Sequence, residues 1–189
     1  MKIIIIEGPD NTGKNTLINS IIESNSIVKL IHCGTPKSKE DPFTEQKQLF
    51  TKLANIAIDE YRKGTTDVLI FNRFYQGEYV YGQMYRNISS IDIRMFIRQL
   101  EKMLINNIID DDLYYVQLLS SSANLLVGND DGKSLSEGKK NLITTENKLF
   151  YEVFNFSTIL NKKIIYVNNG DNFRFREDIL EDFNNFINK

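Results

Sequence analysis

The nine residues Gly8-Pro9-Asp10-Asn11-Thr12-Gly13-Lys14-Asn15-Thr16 carry the spacing G-x-x-x-x-G-K between a β-branched run and a helical stretch. Glycines in such a loop let backbone N–H groups turn inward around a phosphate. The helix start adds its positive end, and the lysine brings a mobile charge to the outer phosphates. Gly8, Asn11, Thr12, Gly13, Lys14, Asn15 and Thr16 are therefore the candidate contacts of a nucleoside triphosphate, with Lys14 as the candidate catalytic cation. The residue after the lysine departs from the pattern, which expects a Ser or Thr hydroxyl to hold Mg²⁺. Asn15 stands there instead. Its amide oxygen can touch a hard cation or one of its waters, so Asn15 is the candidate metal contact, with most of the ion's shell expected from phosphate and water.

A second group, Asn72-Arg73-Phe74-Tyr75-Gln76-Gly77-Glu78-Tyr79-Val80-Tyr81-Gly82, follows a later apolar run. An arginine at the carboxyl end of a strand can grip a second phosphate with two prongs, and Arg73 is placed for that. Phe74, Tyr79 and Tyr81 offer flat faces to a base, a role that competes with ordinary core packing. Asp10 sits inside the phosphate loop, where a bare carboxylate would repel phosphate unless it faces a sugar hydroxyl. The polar segment 128–141, GNDDGKSLSEGKKN, is too long for a simple connection and reads as a lid. It holds Lys133, Lys139 and Lys140 but no arginine, and Lys133 is the candidate closing cation. His32 and Cys33 lack a partner for nucleophilic chemistry and read as packing residues. Arg174 and Arg176 read as the start of a last helix. Residues 109–112, IDDD, read as a solvated turn.

The elements that must hold these residues follow from periodicity. Residues 2–6 (KIIII) predict a strand buried on both faces, and Leu17, Ile18, Ile21 and Ile22 predict an amphipathic helix over 14–24. Further strands are expected at 28–33, 68–71, 113–119 and 163–167, and helices at 44–63 and 92–107, the former closed by Lys63 and Gly64. This alternation implies an α/β, P-loop NTPase fold: a five-stranded parallel sheet with helices on both faces and a lid at about 128–141. Ligands are then expected at the carboxyl ends of the strands. All 189 residues read as a single domain, without repeat or linker.

The 23 Lys and Arg against 25 Asp and Glu leave a net charge of −2, which gives no attraction for a nucleic acid polymer. One Cys and one His all but exclude a zinc site of the His/Cys type. A lone Cys fits a reducing, cytoplasmic setting. The four isoleucines at 3–6 are too few for a membrane segment, so no membrane partner is expected.

The loop EGPDNTGKNT resembles the E-G-x-D-x-x-G-K-x-T loop of thymidylate kinases. NRFYQGEYVYG is similar to that family's block after strand three, with Arg73, Phe74, Gly77 and Tyr81 on the pattern. Glu146, Phe150 and Val153 echo the E-x-x-x-F spacing after the lid. The resemblance extends to phage-type deoxynucleotide and deoxynucleoside kinases. It implies ATP and Mg²⁺ as cofactors, dTMP or a related deoxynucleoside monophosphate as acceptor, a homodimer, and the host cytoplasm if the chain is phage-encoded. Asp10, Arg73, Phe74, Gly77 and Tyr81 become the implied acceptor site, with Asp10 on the deoxyribose 3′-hydroxyl. Lys14, Arg73, Asp10 and Lys133 become the implied catalytic set. Asn72 replaces the family's Asp, so both positions associated with magnesium are amides. Glu7, directly before Gly8, leaves open a nucleoside acceptor whose 5′-hydroxyl needs a base. Binding without turnover is a third alternative.

Overall fold

The isoleucines of β1 (Lys2–Glu7) serve two cores. Successive side chains of a strand point to opposite faces. Ile3 and Ile5 enter one apolar cluster, Ile4 and Ile6 the other. In this computed structural model, which describes residues 1–24, 27–34, 36, 40–128 and 134–188, β1 is the centre of a parallel sheet. The other strands are β2 (Val28–His32), β3 (Val68–Asn72), β4 (Leu113–Leu119) and β5 (Asn161–Tyr166), in the order β2-β3-β1-β4-β5. The chain crosses from one half of the sheet to the other at β1. The crevice at that switch point is where an open α/β sheet takes its ligands.

One face carries α2 (Pro42–Lys63), α3 (Gln76–Arg86), α4 (Ser90–Ile105) and α6 (Lys140–Phe156), whose Ala54, Val80, Ile97 and Phe150 pack with Ile3 and Ile5. The other carries α1 (Lys14–Ser24) and α7 (Arg176–Ile187), whose Leu17, Ile18 and Phe183 pack with Ile4 and Ile6. A short α5 (Ala123–Gly128) follows β4, and a hairpin of β6 (Asn168–Asn169) and β7 (Asn172–Phe173) follows β5. No helix among the described residues is long and apolar enough to cross a membrane.

The five strands and their parallel order agree with the sequence pattern, and several boundaries move. The loop expected to reach Pro42 ends one residue sooner, because the Asp41 carboxylate accepts the Thr44 N–H at 3.0 Å and Pro42 opens α2. Gly64 closes α2 in the left-handed conformation (φ +64°), as expected of a glycine there. α4 runs two residues earlier than the predicted 92–107, and β5 ends at Tyr166. The hairpin, α3, α5 and α6 have no counterpart in the predicted elements.

Candidate active site

The loop between β1 and α1 is shaped by three positive φ angles, +146° at Gly8, +63° at Asn11 and +75° at Gly13. Gly8 has no substitute, since a Cβ there would stand 2.3 Å from the carbonyl oxygen of Leu118 on β4. The Thr12 hydroxyl donates to the Pro9 carbonyl at 2.8 Å, and the Leu17 N–H donates to Gly13 O at 3.0 Å to begin α1. Asn15 and Thr16 open that helix on its exposed side. The Lys14 ammonium folds back over the loop, donating to Gly8 O at 2.9 Å and Pro9 O at 2.5 Å. Burial, helped by the nearby Arg73 charge, pushes its pKa down to about 7, against the opposing pull of Asp10 and Glu7.

Arg73 stands at the other side of the same crevice. Its φ of +64° turns the chain sharply after β3, and its N–H donates to Ile6 O on β1 at 3.0 Å. The guanidinium is paired with the Asp10 carboxylate and lies 5.0 Å from the centre of the Tyr81 ring. Asp10, Lys14, Asn15, His32, Asn72 and Arg73 line one cavity of about 570 Å³, which Ser134 and Leu135 also border. Glu7 sits behind this wall, fully buried, where its Oε1 accepts the Phe74 N–H at 2.7 Å and the Gly77 N–H at 3.0 Å. Desolvation pushes its carboxyl up to about 7. Glu7 braces the turn after β3 against β1.

The two amides that stand in for magnesium-associated residues bond to each other. Asn72 Nδ2 donates to Asn15 Oδ1 at 2.8 Å and lies 3.1 Å from His32 Nδ1. The Asn15 oxygen is thus engaged, Asp10 is paired with Arg73, and no group of three His, Cys, Asp or Glu among the described residues could hold a metal. These residues form no cage of their own for Mg²⁺, and the Asn15 oxygen, with one of its two lone pairs engaged, would be a single protein contact to an ion held mainly by phosphate and water. Asn15 is also half of an amide bridge between α1 and β3. His32, read from sequence as a packing residue, belongs to this bridge. Its contact depends on β2 and β3 lying side by side, with His32 opposite Asn72.

Beyond Arg73 a second, narrower cleft is lined by Gln46 and Phe50 of α2, Phe74, and Gly77, Glu78, Tyr81 and Arg86 of α3. Phe74 is stacked on Phe71, ring centres 4.2 Å apart. Tyr81 meets Phe150 edge to face. Two of the three expected base-pocket aromatics, Phe74 and Tyr81, therefore border the cleft while anchored in the core. Tyr79 is turned away, against Phe156 and Arg94, with its hydroxyl on Glu152 at 3.2 Å. Glu78 accepts a hydrogen bond from Arg86, eight residues on. Gln46, Glu78 and Arg86 were not singled out by sequence. The available signal was an acid and a base two helical turns apart in a stretch with little else charged.

Of the lid lysines, Lys133 lies outside the described residues. Lys139 is exposed and pairs with Glu137, and Lys140 starts α6. Glu146 is buried and accepts the Tyr85 hydroxyl at 2.7 Å. On the opposite side of the loop, a cavity of about 340 Å³ is lined by Asn11, Thr12, Thr16, Phe173, Arg174 and Arg176 among others. Arg176 starts α7 as expected and ties it to α1, donating to Ser20 Oγ at 2.6 Å and Glu23 at 2.9 Å. Arg174 precedes α7, pairs with Asp182 at 2.8 Å and also faces this cavity.

No protein-family model matches the sequence, and no curated protein matches it. Solved structures do resemble the fold. The YorR protein of Bacillus subtilis, in complex with phosphorylated GDP, aligns with a TM-score of 0.70 over 99% of this chain and 96% of its own at 18% identity. Thymidylate kinase from Ehrlichia chaffeensis aligns at 0.61, with 96% of each chain covered and 13% identity. Deoxyadenosine kinase from M. mycoides with bound dATP aligns at 0.59 over 99% of this chain and all of its own, at 14% identity. The chain has the α/β fold of the P-loop kinases, with its five-stranded parallel sheet and its phosphate-type loop at the switch point.

Proposed function

We propose that the chain transfers the γ-phosphoryl group of ATP to the phosphate of a deoxynucleoside monophosphate. The observation that carries this reading is the single cavity bordered by Lys14 on one side and Arg73 on the other. Phosphoryl transfer asks a protein mainly to position two anions and to neutralise charge. In this scheme the loop amides and Lys14 take the donor phosphates, and the cavity beside Thr16, Phe173 and Arg174 takes the donor base. Arg73 leaves Asp10 to hold the acceptor phosphate, and Asp10 turns to the sugar 3′-hydroxyl. An acceptor phosphate oxygen bonds to the γ-phosphorus while the bridge to the β-phosphate breaks, giving ADP and a nucleoside diphosphate. Mg²⁺ comes with ATP as the usual phosphate chelate, and no step above is assigned to it.

Two of the structural neighbours hold purine nucleotides, and one is a thymidylate kinase. The dTMP suggested by the sequence resemblance is one acceptor of this class. A nucleoside acceptor is disfavoured because Glu7, the carboxylate directly before the loop, is fully buried behind the cavity wall, with Oε1 held by the Phe74 and Gly77 amides. Release of ADP from MgATP, followed with each deoxynucleoside monophosphate and with thymidine, tests the reading. Turnover is expected with a monophosphate, and Arg73→Ala should lower kcat/KM for it by about 10²–10³, the scale of losing one donor to a transferred group. Turnover with nucleosides only, or an unaffected Arg73→Ala, refutes it.

A further inference from the structure

The narrow cleft between α2 and α3 contains buried polar atoms that the fold leaves unused. Gln46 is 1% exposed, with its Nε2 placed toward Gly34 O at 3.4 Å and its Oε1 on the other side of the amide. Glu78 is 3% exposed and gives one carboxylate oxygen, Oε2, to Arg86. Among the described residues, Gln46 Oε1, Glu78 Oε1 and Arg86 Nε have no hydrogen-bond partner, and neither does the Tyr81 hydroxyl. Buried polar atoms are nearly always paired, so a set of them along one cleft points to a ligand that completes it.

The set has a definite sense. Gln46 Oε1 and Glu78 Oε1 are acceptors and Arg86 Nε is a donor, while the Tyr81 hydroxyl can act either way and does not discriminate. The complementary ligand edge offers two donors and one acceptor. Thymine and uracil offer one N–H between two carbonyls, adenine one amino group beside a bare nitrogen, and cytosine one amino group with two acceptors. Guanine alone among these bases presents N1–H and an N2 amino group beside the O6 acceptor. Building on the kinase reading above, we infer that this cleft reads guanine, and that the acceptor is a guanine-bearing nucleoside monophosphate.

Phe50 and Phe74 supply the apolar wall such a base needs. Its N–H donors would also relieve the Glu78 carboxylate, whose pKa burial pushes up to about 7. The cleft is narrow, about 50 Å³, so a base is admitted only as its walls part.

The decisive comparison uses the unaltered protein. With MgATP as donor, dGMP should be phosphorylated with a kcat/KM at least about tenfold above dAMP, dCMP and dTMP, and dIMP, which lacks only the 2-amino group, should fall at least about tenfold below dGMP. Glu78→Gln should narrow the dGMP to dIMP ratio toward unity, with circular dichroism checking that the variant is folded. Preference for another base, or equal use of dIMP and dGMP, overturns the guanine assignment and leaves the kinase reading standing. If no monophosphate is phosphorylated the kinase reading fails. Calorimetric titration of the same monophosphates then decides the cleft, tighter dGMP supporting it and equal or weaker dGMP overturning it.

Discussion

Lys14 is bonded to the carbonyls of its own loop, in a site that disfavours its charge. With its pKa lowered from 10.5 to about 7, much of the lysine is neutral at pH 8, and phosphate binding must recharge it by taking up a proton. Nucleotide affinity should therefore weaken between pH 7.5 and 9, by up to about tenfold per unit if the whole shift is expressed. ADP titrations across that range measure it. Lys14→Arg, always charged, should flatten the slope, and a flat wild-type profile rules the argument out. Residue identity and spacing were enough to nominate Lys14 and Arg73, because phosphate chemistry calls for cations after those strands, whereas Asp10 rests on the family resemblance. Their partners were not legible. Asn15, Asn72 and His32 meet only because α1, β3 and β2 are brought together from three parts of the chain. The Arg73 bond to Asp10 spans 63 positions.

Elements differ in how openly the sequence declares them. β1 is announced by four isoleucines, and the phosphate loop by its glycines. α3 is not, because Gln76 to Gly82 are all buried although they include a glutamine, a glutamate and two glycines, so hydropathy does not mark its buried face. The same burial puts Glu78 and Tyr81 in the cleft wall. The loop itself allows a paired test. Gly13→Ala meets no atom within 4 Å and bears only the left-handed φ, a cost of about 1–2 kcal/mol. Gly8→Ala adds a collision with the Leu118 carbonyl, a backbone atom that cannot rotate away. Its loss should exceed that of Gly13→Ala by at least about 1 kcal/mol. Denaturant titration of both variants reads this, and equal losses would show that the loop does not press on β4.

Over the whole molecule, the costs of burying charge combine. Glu7 and Glu78 have folded pKa values raised from 4.5 to about 7, so the native state holds protons the unfolded chain has released. Stability from these groups falls as pH climbs from 4.5 to 7 and stays down above it. Lys14 has the opposite sign. Its penalty is full below 7 and fades between 7 and 10.5, where the unfolded chain still holds the proton. The ligand-free protein should thus be least stable near pH 7. Urea midpoints at pH 5.5, 7 and 8.5 should show the minimum in the middle, and a monotonic series would mean that one sign dominates.

The alternation of isoleucines along β1 bears on how such a protein changes over time. α1 and α7, which frame the cavity proposed for the donor base, rest on Ile4 and Ile6, whereas α2 and α3, which frame the narrow cleft, rest on Ile3 and Ile5. Under the proposed reaction, consecutive codons thus address its two different halves. A drift in side-chain volume at odd positions reshapes the seat of one substrate, and a drift at even positions reshapes that of the other. Selection can then retune the two specificities separately, with the backbone of a single strand as their common ground.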